Sequence, residues 1–122
     1  MTMLCWVYHL GQDGPLFNYK TSGPWGVHLW ANFGQLFVRF TKRNYHFTQH
    51  LGSTPLAGGW KFVGASYDGS SGEAKLWVNG EVVQTLNIGA QLDLATQDNQ
   101  SFRCVKEMAI GINFSKQFVC ID

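Results

Sequence analysis

Charge is what this chain has least of. Charged residues make up 14% of its 122 residues and the formal net charge is +1, against roughly a quarter charged in an average soluble domain. The cations are scattered, and their longest run is the pair Lys42-Arg43. That is too little to track a phosphate backbone, so no nucleic-acid partner is expected. Long apolar runs are also missing: nothing approaches the ~20 residues that span a bilayer, which argues against membrane insertion. The stretch Met1 to Leu10 is neither basic nor long enough to be a signal peptide. No window carries an apolar stripe of helical period, so helix is excluded as the main element.

Catalytic groups are equally sparse. Glycan hydrolysis needs two carboxylates about 5–9.5 Å apart, yet Asp13, Asp68, Glu73, Glu81, Asp93, Asp98, Glu107 and Asp122 never alternate along one strand-like segment. No serine or cysteine sits in a nucleophile elbow, and none of the cysteine or histidine spacings makes a zinc ligand set. The chain reads as a non-enzyme with no metal site. Its length fits one domain with one moderate core.

What the chain does have is strand punctuation. Trp60 to Tyr67 alternates, and Asp68-Gly69 and Ser70 to Gly72 then supply turn residues. Ala74 to Val78 meets Glu81 to Leu86 across Asn79-Gly80, the strongest two-residue hairpin signal, because a type I′ turn needs positive φ at both central residues. A meander of this kind needs a second sheet to cover its apolar face. Further strands are expected over Thr2 to His9, Leu16 to Tyr19, Val27 to Ala31, Gln35 to Thr41, Tyr45 to Thr48, Glu107 to Ile112 and Gln117 to Ile121. Gln49 to Gly58, which contains Pro55 and two glycines, reads as a loop, and Leu92, Leu94 and Ala95 as a short strand or irregular packed segment. Trp6, Trp60 and Trp77 are expected in the core or between the sheets, each lying inside a strong strand signal.

The order Trp60, Phe62-Val63, Ala65, Tyr67-Asp68, Ser71-Gly72, Leu76, Val78-Asn79-Gly80 resembles the central hairpin of the laminin-G/pentraxin group of concanavalin A-like jelly rolls. Met3 to Val7 is similar to an early strand of that group, and Ala109-Ile110-Gly111 with Phe118 and Ile121-Asp122 to its late strand pair. The resemblance runs from about residue 3 to residue 122. It implies an all-β, two-sheet antiparallel jelly-roll sandwich, shortened at both ends, belonging to a secreted or extracellular protein. Relatives of that kind bind glycans or extracellular proteins. Uncovered edge strands in such a shortened sandwich would favour self-association.

The resemblance also bears on cysteine and calcium. The first and last strands of a jelly roll commonly lie side by side, which favours a disulfide between Cys5 and Cys120. Cys104 with Cys120, or three buried thiols, are the competing arrangements. The pentraxin calcium site draws acidic and amide residues from a segment that here is Ile112 to Lys116, which holds no acid. Asp93, Gln97, Asp98 and Asn99 are a weaker calcium loop, read first as a solvated one. Two sequons, at Asn99 and Asn113, are formal glycosylation acceptors if the chain is secreted.

A candidate ligand surface remains. Sugar rings offer apolar C–H faces flanked by hydroxyls, so a neutral glycan site asks for a flat aromatic beside amide, imidazole or carboxylate partners. Asn18, Tyr19, Trp25, His28, Trp30 and Asn32, with Arg39, supply that set. Alternation places Gly26, His28, Trp30 and Asn32 on one face of their strand, away from Trp25, Val27, Leu29 and Ala31. The competing reading makes Trp30 core and His28 a satisfied edge residue. The expected function is a lectin-like, carbohydrate-binding module, with a protein-interaction, adhesion or self-assembling domain as the alternative.

Overall fold

The computed structural model describes residues 1–19, 21, 26–44, 48–96 and 114–118. Nine strands are present among them: β1 Thr2–His9, β2 Gly14–Asn18, β3 His28–Asn32, β4 Gln35–Thr41, β5 Thr48–Pro55, β6 Trp60–Tyr67, β7 Glu73–Val78, β8 Glu81–Asn87 and β9 Phe114–Phe118. They form two antiparallel sheets, a larger one in the order β8-β7-β6-β1-β9 and a smaller one in the order β2-β3-β4-β5. The two-sheet all-β sandwich expected from the meander and its turns is the observed architecture. Among the described residues no helix is long and apolar enough to cross a membrane.

Alternation assembles the core. From the larger sheet, Met3, Cys5, Val7, Val63, Ala65, Tyr67, Ala74, Leu76 and Val78 point inward. Val27, Leu29, Ala31, Leu36, Val38, Phe40 and Leu51 meet them from the smaller sheet. Asn79 and Gly80 adopt φ of 52° and 81°, as a two-residue I′ turn requires, and Val78 pairs with Glu81 across it. The chain then leaves β8 and closes one end of the sandwich. Ile88, Leu94 and Ala95 are buried there, Leu94 bridges to Lys42, and Ala95 N–H donates to Thr41 O at 2.7 Å. The Tyr67 hydroxyl fixes the same crossing, donating to Gly89 O at 2.8 Å and accepting from Leu92 N–H at 3.0 Å.

Several expectations change. Thr48–Pro55 is a strand, not a loop, and pairs with β4 along its length. Its glycine and proline are accommodated by position: Pro55 ends an edge strand, where a missing N–H costs no ladder bond, and Gly52 lies opposite a phenylalanine. The strand expected over Tyr45 to Thr48 lies outside the described residues except for Thr48, which opens β5.

The tryptophans differ as well. Trp6 and Trp60 are 44% and 48% exposed, and Trp77 is half-buried on the same outward face. Each of the two central strands β1 and β6 offers two rows with apolar residues, and β7 adds Trp77 to the outward one. The smaller sheet covers the row of smaller residues and leaves the tryptophans outside.

At the C-terminal end, β9 runs over Phe114–Phe118, earlier than the strand expected to begin at Gln117, and pairs antiparallel with β1, Cys5 facing Phe118. The first and last described strands are thus neighbours. Cys5 is buried on the inward face of β1. Cys104, Cys120, the strand expected over Glu107 to Ile112, Trp25 and the sequon asparagines lie outside the described residues.

Candidate functional site

Register on the smaller sheet brings one outward row into contact across three strands. His28 pairs with Arg39, Trp30 with Phe37 and Asn32 with Gln35; from β5, His50 pairs with Arg39 and Gly52 with Phe37. The result is a groove of about 350 Å³ lined by Asn32, Phe33, Gln35, Phe37, Arg39, His50 and Gly52. Such a volume lies at the small end of ligand clefts.

Gly52 lines the hollow. A Cβ there would lie 2.7 Å from Phe37 Cβ, so glycine is what lets β5 lie this close to β4 beside the groove. Position 52 is also held from the other sheet, because Gly52 N–H donates to Gln84 Oε1 at 2.7 Å. One side-chain amide therefore ties the β5 edge to β8.

Asn32 and Arg39, both expected at the site, line this groove. Trp30 is half-buried in the adjoining row. Asn18 is exposed on β2 opposite His28, farther from the hollow. Tyr19 packs against the core, and its N–H donates to Val27 O at 3.0 Å. Trp25 falls outside the described residues.

His28 faces outward yet is only 3% exposed. The rings of Trp30 and Phe37 stand edge-on to it, each at a centroid distance of 5.8 Å. Its Nδ1–H donates to Gly26 O at 3.0 Å, since a carbonyl can only accept. Burial pushes the His28 pKa below its ordinary value, the bond to Gly26 opposes that, and the Arg39 charge adds to the lowering. His28 is therefore a neutral support beneath the aromatic row, with Arg39, exposed His50 and the amides left at the surface.

Phe33, Gln35, Phe37 and His50 join the site without having been expected there. Phe37 and Gln35 follow from the β3–β4 register, which the two-residue loop sets; His50 required β5 to be a strand. Phe33 sits at the hairpin tip with φ of 49° and Gly34 follows at 70°. The Asp13 carboxylate accepts from both amides, at 2.7 Å from Phe33 N–H and 3.2 Å from Gly34 N–H. Those two bonds, Phe33 first, hold the Asp13 pKa below the usual carboxylate range.

A second hollow, of about 360 Å³, is bordered by Lys42, Arg43, Asn44 and Asp93. Arg43 is committed there to structure: its Nε lies 3.2 Å from both Asp93 carboxylate oxygens, and its terminal nitrogens donate to Thr96 O and Leu94 O. Asp93, the described member of the weaker calcium loop, is thus engaged by a guanidinium. Among the described residues no cluster of three or more histidine, cysteine or acidic side chains could hold a metal.

No family model matches the chain, and no curated protein and no solved structure matches it either.

Proposed function

We propose that the protein is a non-enzymatic, lectin-like module that binds a neutral or weakly acidic glycan in the groove on the outer face of the smaller sheet. The observation that carries this reading is the groove's composition. Two aromatic rings, two amides, one guanidinium and one imidazole converge on a single hollow that holds no carboxylate. A sugar ring needs an apolar plate for its C–H face and donors and acceptors for its hydroxyls. A carboxylated sugar would also be tolerated beside Arg39. Laminin-G-like jelly rolls of secreted proteins, which the central hairpin resembles, fit this use and an extracellular setting.

The test is binding of the whole chain to a panel of immobilised neutral and uronic-acid saccharides, with and without calcium. Arg39→Gln and His50→Ala should each weaken binding by about 0.5–1.5 kcal/mol, the range of one hydrogen bond, with the melting temperature held within error. Equal binding by both variants and the parent protein would remove the groove from consideration.

A second reading rests on a different face. Trp6 and Trp60 are the most exposed rings of an outward aromatic row on the larger sheet, and all seven residues of its edge strand β8 are exposed, among them Val82, Val83 and Leu86. Exposed apolar surface next to a strand edge that no other described strand pairs suits adhesion to another protein or to a second copy of this chain.

A further inference from the structure

The chain makes the same tight turn twice with different residues. Asn79-Gly80 and Phe33-Gly34 each join two strands through a two-residue loop with positive φ at both positions. At the first, asparagine is the residue that tolerates left-handed φ best after glycine, and its side chain is used: Asn79 Oδ1 accepts from Phe62 N–H at 3.0 Å. At the second stands a phenylalanine, a residue type for which φ of 49° is unfavourable. Its ring is 87% exposed, so burial does not compensate. The turn is instead held from outside, by the Asp13 carboxylate on both amides and by Leu56 N–H donating to Gly34 O at 2.9 Å. Turn chemistry would be served better by asparagine, and core packing gains nothing from the ring. What the ring does have is a fixed place on the groove, beside Asn32 and Gln35.

We propose that Phe33 is the apolar wall of the ligand groove, its ring packing on the C–H face of a saccharide whose hydroxyls are bonded by Asn32, Gln35 and Arg39. This assignment rests on the glycan reading of the groove and adds the residue that closes it. Three hydrogen bonds hold the backbone of the turn before the ligand arrives, so little ordering of the turn is needed on binding.

The experiment compares Phe33→Asn and Phe33→Trp with the parent chain on the same saccharide panel, with melting temperature measured on each protein. Phe33→Asn should raise the melting temperature, by about 2–4 °C for a domain of this size, because it relieves the turn. The same change should weaken saccharide binding about tenfold, the scale of one well-placed aromatic contact. Phe33→Trp should keep or strengthen binding. Opposite signs on stability and binding are the expected signature. Unchanged binding by Phe33→Asn, while Arg39→Gln still weakens it, would overturn the assignment and leave the groove reading intact. A lowered melting temperature for Phe33→Asn would overturn it too, since the ring would then be structural. Binding of no saccharide by the parent chain, or unweakened binding by both Arg39→Gln and His50→Ala, would overturn the groove reading and this assignment with it.

Discussion

On the larger sheet the outward row carries Leu4, Trp6, Tyr8, Trp60, Phe62 and Trp77; on the smaller sheet it carries His28, Trp30, Asn32, Gln35, Phe37 and Arg39. Both rows arise from strict alternation, and both are rich in rings. The larger sheet pairs its rings with each other, Trp6 with Phe62 at 5.2 Å and Tyr8 with Trp60 at 5.4 Å, tilted or edge-on. Its one glycine in the row, Gly64, is filled by the side chain of Leu4. The smaller sheet intersperses rings with amides and a guanidinium, and its glycine, pressed against Phe37 Cβ, lines the groove. A ribbed surface of paired rings suits a broad partner, whereas a hollow with directed polar groups suits a small polar one. Both glycines are closely approached by a neighbour, so it is the polar groups around the groove that separate the two faces.

The largest effect that would test this contrast comes from the glycines. Gly64→Ala should destabilise the fold by about 3 kcal/mol, because the new methyl runs into the backbone oxygen of Met3 as well as Leu4. Gly52→Ala should cost about 1–2 kcal/mol, since the new methyl meets Phe37 Cβ on β4 but sits on the edge strand β5, which can shift away, and it should also diminish saccharide binding. Urea midpoints give both values, and the reverse ranking would show that Gly52, not Gly64, is the more tightly packed.

A smaller effect is expected at the exposed tryptophans. Trp6→Ser and Trp60→Ser should each cost about 1 kcal/mol of stability, as only part of each ring is buried. Combined, they should leave saccharide binding unchanged and, if a second copy covers that face, shift sedimentation towards monomer. Loss of binding in the double variant would move the ligand surface to the larger sheet.

The smallest effect concerns protonation of His28. Burial lowers its pKa in the folded chain, so the unfolded chain takes up the proton more readily. Its contribution to stability is then complete above the unfolded value, near pH 6.5, and is lost as pH falls below that. Lowering of the Asp13 pKa by its turn bonds acts in a separate, more acidic window, with stability lost as pH falls below the ordinary carboxylate value near 4. A His28→Gln protein should show a flatter stability profile between about pH 7 and 5 than the parent. An identical profile would mean that His28 titrates at the surface.

Much of the strand pattern was legible in order, because alternation and turn residues are local. Thr2–His9, Gln35–Thr41 and Trp60–Tyr67 have the observed bounds, and Asn79-Gly80 forms the turn that its residue types require. β5 was not legible: it holds a glycine and a proline, and Leu51 is its one fully buried aliphatic side chain. Its strand character comes from pairing with β4, and its own residues carry no alternation that would announce it. Of the site, Asn32 and Arg39 could be placed from alternation; Phe33 could not, since a phenylalanine before a glycine is not a turn signal.

Residue periodicity and turn chemistry by themselves determined that this chain is an antiparallel two-sheet sandwich, because both act over a few residues and need no partner. Only the tertiary structure decided which row of each strand faces inward. A strand with two apolar rows contains no information about which one the opposite sheet will cover. The smaller sheet packed on the row of Met3, Cys5 and Val7 and left Trp6 outside. Register between β4 and β5 then set Gly52 against Phe37 and His50 against Arg39, which made a groove from residues no local pattern joins.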